Sequence, residues 1–339
     1  MKPLLLTALL LAAPAATAQT SIPAIPATPP PSTAAPRAAP GTAATTTLRL
    51  TAQPGTTVEL TANVKTQLTL EDVQVTKPGG QPASAAEVAR LRADIQKGLS
   101  SGAAAVPSIR TLYKVQDRAA DGTVTLLTSV VTSVPGQPPI SLRLTQTVAP
   151  DGRTRITRVE SDNPTVQAAL QALPPDVLQA QANQGGNLTD LYGQTFTVGQ
   201  PRTQTRTVDA QALLGSMFGA MAASMGGGNP FSNLKATPLT VRTTITYRGM
   251  NAGGQRVFDT SSTAGAWTIE LGDQTEPMHL KLELLDLTES GQSLYRPDGL
   301  PAGQTGTQTM RMRLTMTEPD GSQTQMLLRL NQNVSMQGR

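Results

Sequence analysis

His279 is the one histidine in a chain of 339 residues that contains no cysteine. Any Ser-His-acid relay must therefore run through that imidazole, and no Cys-His pair can form. It stands in Met278-His279-Leu280-Lys281-Leu282-Glu283-Leu284, where alternation puts it on the polar face of a strand beside Lys281 and Glu283. That is a solvent-facing setting. Gly98-Leu99-Ser100-Ser101-Gly102 spells a nucleophile elbow, but that turn needs a strand entering and a helix leaving. Here a helical pattern enters, so the cluster reads as a helix stop. Ser232-Asn233-Leu234-Lys235 and Ser161-Asp162-Asn163 carry spellings found in penicillin-recognising enzymes, in reversed order and with no Lys-Thr-Gly. Zinc sites draw on Cys and His, and no calcium-loop spacing of acidic residues occurs. The expectation is no enzyme, no metal and no cofactor. A pair of carboxylates brought together from distant strands is the one route to acid-base catalysis left open.

The elements that would position any site are mostly strands. In Met310-Arg311-Met312-Arg313-Leu314-Thr315-Met316-Thr317 every even position is apolar and every odd one polar, as a half-buried strand requires. Ser141–Val148, Thr240–Tyr247 and Met278–Leu284 follow the same rule. Asp121-Gly122, Asp151-Gly152 and Asp320-Gly321 punctuate strand pairs with residues that accept the positive φ of tight hairpins. Leu142–Gly152 lays over Met312–Gly321, and Leu112-Tyr113-Lys114 resembles Thr246-Tyr247-Arg248. Two related β units follow from this echo, 47–190 and 191–339, the second enlarged between its hairpins. The predicted fold class is mainly β (α+β): curved antiparallel sheet in two related halves, with a few capping helices.

Three helical stretches interrupt the strands. Ser84-Ala85-Ala86-Glu87 is a capping box, followed by an apolar face of Val88, Leu91, Ile95 and Leu99. A Pro-interrupted stretch runs from Thr165 to about Ala182. The third, 209–225, carries Leu213, Leu214, Met217, Phe218, Met221 and Met225 on one face and stops at Gly226-Gly227-Gly228-Asn229-Pro230. Methionine adapts to irregular apolar shapes, and the glycines would let the helix end swing. These six residues are the candidate ligand-binding set, read either as a gate or as a plug in the core.

The N-terminus bears Lys2, an apolar run from Leu4 to Ala13 and the small-x-small pattern Ala16-Thr17-Ala18. This is a secretory signal over 1–18, cleaved after Ala18, because the run falls well short of the roughly 20 residues that span a bilayer. Gln19 to Thr46 is a Pro/Ala/Thr linker. Periplasmic or extracellular residence follows as an expectation. A net charge of +4 with charged residues at 15% and only nine aromatics argues against nucleic acid as partner. The same shortage of aromatics cannot build the two girdles of an outer-membrane barrel.

A wide sheet with one wet and one apolar face must be covered. Signal, curved sheet and capping helices together resemble the half-barrel carriers of the bacterial periplasm that hold lipoproteins or lipids, and also uncharacterised exported β-rich proteins of the envelope. The resemblance is one of plan over 48–335 and matches no motif residue by residue. It implies a hydrophobic ligand, a lipid or a lipoprotein, as partner. An envelope structural or protein-interaction module and an unrecognised hydrolase are the alternatives.

Overall fold

Runs of Thr, Val and Leu with period two pair side by side until one sheet takes in nearly every strand. The computed structural model describes residues 44–102, 108–133, 138–172, 191–208, 233–272 and 279–338. Among them are a short pair, β1 (Thr45–Thr47) with β7 (Thr195–Thr197), and a 13-stranded antiparallel sheet. The first half supplies β2 (Thr57–Thr76), β3 (Ser108–Arg118), β4 (Val124–Ser133), β5 (Ile140–Val148) and β6 (Thr154–Ser161). The second supplies β8 (Pro201–Val208), β9 (Lys235–Ala236), β10 (Leu239–Met250), β11 (Arg256–Ala264), β12 (Trp267–Leu271), β13 (His279–Tyr295), β14 (Pro301–Thr317) and β15 (Gln323–Gly338).

The spatial order is β6-β5-β4-β3-β2-β15-β14-β13-β11-β10-β8, with β12 and β9 continuing beside the first part of β13. Each half is thus a meander, and the two join where β2 pairs with β15 from Leu60↔Gly338 to Thr76↔Gln323. The sheet is continuous but not closed, with β6 and β8 at its edges. The echo lands on equivalent hairpins, β3-β4 with β10-β11 and β5-β6 with β14-β15, and β12 and β13 are the enlargement between the second pair.

The Asp-Gly turns share one hydrogen-bond scheme. At β3-β4, Ala119 N donates to Thr123 O, Gly122 N to Ala119 O, and Thr123 N to Asp121 Oδ1. The same pattern recurs at Asp151-Gly152, Asp298-Gly299 and Asp320-Gly321. Each glycine has φ between 82° and 88°, the left-handed residue that closes a three-residue hairpin. Asp298-Gly299, between β13 and β14, is a fourth turn of this kind, not singled out from sequence.

Two helices lie among the described residues. Helix α1 (Ala85–Gly102) starts at the capping box: Ser84 N and Oγ both donate to Glu87 Oε2, and Glu87 N donates back to Ser84 Oγ. Val88, Leu91, Ile95 and Leu99 pack on the apolar side of the sheet against a cluster that includes Leu70, Met310, Met312, Leu314, Met326 and Leu328. The expected cover is therefore in place. Helix α2 (Pro164–Ala172) is capped by Asn163, whose Oδ1 accepts from Val166 N.

A second cluster closes the other end. Leu48, Leu50 and Ala52, Tyr192 and Phe196 meet Val115, Val124 and Leu126 from the first half and Tyr247, Phe258 and Tyr295 from the second. The Phe258 ring meets Phe196 and Tyr295 edge to face, at centroid distances of 5.1 Å and 5.6 Å, and lies tilted 5.1 Å from Tyr247, and only a curved sheet brings strands this far apart in order to one core. The linker ends earlier than expected, since Thr45 and Thr46 are already paired in β1. The β-branched threonines find a partner strand there. Among the described residues, no helix is long and apolar enough to cross a membrane.

Candidate functional site

The concave face is built of cross-strand rows, because side chains at paired positions project to the same side. One row, Leu68–Leu330–Met310–Leu287–Ala264–Val241, is apolar. The next, Leu70–Leu328–Met312–Leu284, is also apolar and lies deeper under α1. Toward the aromatic end the character changes. Thr66, Gln332, Gln308, Glu289, Ser262, Thr243 and Gln204 stand in register across seven consecutive strands. Ser262, Glu289, Gln308 and Gln332 are buried, and the row reaches solvent at Thr66. There β2 has run past the last β3 pair, Asn63↔Ser108.

Some members of this belt satisfy one another. Thr243 and Ser262 share a hydroxyl hydrogen bond of 3.0 Å, and Gln332 Nε2 donates to Thr66 Oγ1 at 3.3 Å. Gln308 Nε2 is buried and has no hydrogen-bond partner among the described residues, and neither has Thr260 Oγ1 one row on. A buried donor left unmade costs about 1–3 kcal/mol. Beyond the belt come Gly291 and Gly306, paired side by side and both buried, and then Ser293 beside Gln304. Chemically the arrangement is a polar band with a glycine pair beside it, set between methionine- and leucine-rich rows on one side and an aromatic cluster on the other. It has the two characters an amphiphile presents.

The residues chosen from sequence for binding, Leu213, Leu214, Met217, Phe218, Met221 and Met225, lie outside the described residues. So do the signal and Ser232. Methionines do line the concave face, at Met310, Met312 and Met326. The belt itself was missed. The signal for it was the even parity of Met310, Met312 and Leu314, which extends backwards to Gln308, Gly306 and Gln304.

Of the catalytic spellings, those among the described residues lie in α1, at the end of β6 and at the start of β13. Gly98 and Leu99 are inside α1, so a helix does enter that motif. Ser161 Oγ donates to Ser141 O, and Asp162 Oδ1 accepts from Ser141 N at 2.8 Å. His279 pairs with Thr317 at the start of β13, half-buried, in the same alternating set as Lys281 and Glu283. Two carboxylates do approach one cleft of about 220 Å³, lined by Arg143, Glu160, Ser161, Asp162 and Gln167. The Ser141 amide holds the Asp162 carboxyl below its usual range. Glu160 is salt-bridged to Arg158 and sits beside Arg143 in the ladder. A second groove of about 330 Å³ runs over the ends of β13, β14 and β15 beside Leu294, Gly303 and Gly338. It holds no ionisable side chain.

No protein-family model and no curated protein matches the chain. Among solved structures, a protein of unknown function from the DUF3598 family of Nostoc punctiforme is similar at 11% identity. The match covers 78% of this chain and 94% of that one, with a TM-score of 0.12. A score that low carries no argument about fold or function.

Proposed function

We propose that this chain is an exported, non-catalytic carrier of the cell envelope that holds a lipid or other amphipathic ligand on the concave face of its sheet. The observation that carries the reading is the succession of rows on that face, from buried leucine and methionine to the in-register polar belt. An acyl chain gains roughly 25 cal/mol for each Å² of its own apolar surface removed from water, and methionine side chains adjust to its shape. The belt takes the polar end. Access lies along β2 beyond Asn63, where Thr66 is exposed. Export rests on the residues 1–18 signal pattern.

The test is recovery of the mature protein from an envelope extract, followed by native mass spectrometry and lipid analysis of the released material. A stoichiometric lipid on a chain beginning at Gln19 is the expected result. A chain recovered ligand-free that also fails to take up a fluorescent fatty acid or acylglycerol refutes the carrier.

A further inference from the structure

The two edges of the sheet differ in what they turn inward. On β6, Thr154, Ile156, Val159 and Ser161 stand opposite Val148, Gln146, Leu144 and Leu142 on the concave side, while Arg155 and Arg158 stand opposite Thr147 and Thr145 on the convex one. On β8 the pattern is reversed. Thr203, Thr205 and Thr207 are convex, and Arg202, Gln204 and Arg206 are concave, opposite Ile245, Thr243 and Val241. Inward charges on an edge strand discourage pairing between copies, yet the equally open β6 carries none on its inward side. Arg202 is exposed and Gln204 and Arg206 are half-buried, so this end of the concave face opens to solvent. The apolar row arrives there as Val241 and Ala264, both half-buried. The inward side chains that follow β8 are Val241, Thr243 and Ile245 on β10 and Ala264, Ser262 and Thr260 on β11, with no carboxylate among them. Asp259, the acid of β11, faces the convex side with Arg248.

Resting on the carrier reading, we propose that the inward side of β8 is the head-group clasp for a long-chain fatty acid, whose carboxylate meets Arg202 with Arg206 beside it and whose first methylenes lie over Val241 and Ala264. The two arginines are four residues apart on one face, roughly 13 Å along the strand. Arg206 leans into that interval, its Nη2 donating to Gln204 Oε1 at 3.3 Å. The fork of a guanidinium matches the two oxygens of a carboxylate. Thr243 and Ser262 of the belt border the apolar row on one side, and β11 ends at Ala264 on the other. That suits a single acyl chain rather than the pair of a diacyl lipid.

The test is displacement of an apolar fluorescent reporter, N-phenylnaphthylamine, from the full mature chain by oleate and by oleyl alcohol, which share a chain and differ in head charge. Oleate is expected to displace about tenfold better, the worth of a charge-assisted hydrogen bond, and to lose part of that advantage at high salt. Arg202→Gln should remove about tenfold for oleate and leave the alcohol unchanged. Arg202→Lys, which keeps the charge without the fork, should lose less. Because Arg202 is exposed, the unfolding midpoint should hold in both variants. Equal displacement by the two lipids, or an Arg202→Gln chain that takes oleate like the parent, overturns the clasp and leaves the carrier standing. Arg202→Gln chains that keep their oleate preference and form oligomers assign the arginines to edge protection and overturn it as well. Tighter binding to dioleoyl phosphatidylglycerol vesicles than to oleate makes β8 a membrane-facing edge and overturns the fatty-acid assignment. A parent chain that binds neither reporter nor lipid removes both proposals.

Discussion

At the scale of single residues, the contrast between His279 and Gly299 shows how place outweighs chemical type. His279 has the most versatile side chain in the sequence and sits half-buried at a strand end on the polar set. His279→Ala should shift stability by no more than about 0.5 kcal/mol, read by urea unfolding. A loss near 2 kcal/mol would mean the imidazole is a buried partner. Gly299 has no side chain and φ of 88°, and an added Cβ would lie 2.1 Å from Arg49 O. Gly321 has φ of 82° in the same kind of turn, with nothing within 4 Å of an added Cβ. Gly321→Ala should therefore cost about 1–2 kcal/mol, the left-handed backbone alone. Gly299→Ala should cost clearly more, because it also displaces the segment that Tyr192 and Arg118 hold in place. Tyr192 OH donates to Gly299 O at 2.7 Å, and Arg118 to the carbonyls of Leu50 and Ala52 at 3.0 Å. Burial raises the Tyr192 phenol well above its usual range, so it remains a donor at any pH the fold meets. Equal losses for the two glycines would show that the Arg49 contact relaxes freely.

At the scale of elements, the start of α1 has a stability that answers to pH. Lys77 Nζ at 2.9 Å, with Ser84 Oγ at 2.7 Å and Ser84 N at 2.8 Å, lowers the Glu87 carboxyl from 4.5 to about 2. A depressed folded-state value means the stabilisation is complete above about 4.5 and is lost as pH falls toward 2. Helical circular dichroism should therefore fall over that window. Glu87→Gln should remove most of this dependence and start from a weaker helix at neutral pH. A pH profile identical in the variant would place the effect on other carboxylates. Because α1 lies over Met312, Leu314 and Leu328, its loosening should also raise uptake of an apolar dye, the sign that the cover and the concave face are one unit.

At the scale of the whole molecule, the seam between β2 and β15 makes the two halves interdependent. Its ladder runs nearly the full length of both strands, and the aromatic cluster draws on both halves at once. Unfolding should therefore be a single transition. Fluorescence of Trp267, the one tryptophan, reports β12 in the second half. It should share its midpoint with far-ultraviolet dichroism, which averages both halves. Separate midpoints would show two independent domains.

Most of the local architecture was legible because it is written in short-range chemistry. Period-two alternation marked β5, β10, β13 and β14, the Asp-Gly pairs marked three hairpins, and the capping box marked the start of α1. The echo between Leu142–Gly152 and Met312–Gly321 marked equivalent hairpins for the same reason. Tertiary structure alone decided that residues as distant in sequence as Leu60 and Gly338 close one seam, since pairing between remote strands leaves no period to read. It also decided the belt. In Gln304-Thr305-Gly306-Thr307-Gln308-Thr309 both faces are polar, so hydropathy cannot say which one turns inward. The choice is made further along the same strand, where Met310, Met312 and Leu314 must be buried, and the pleat carries that decision back to Gln308 and Gly306.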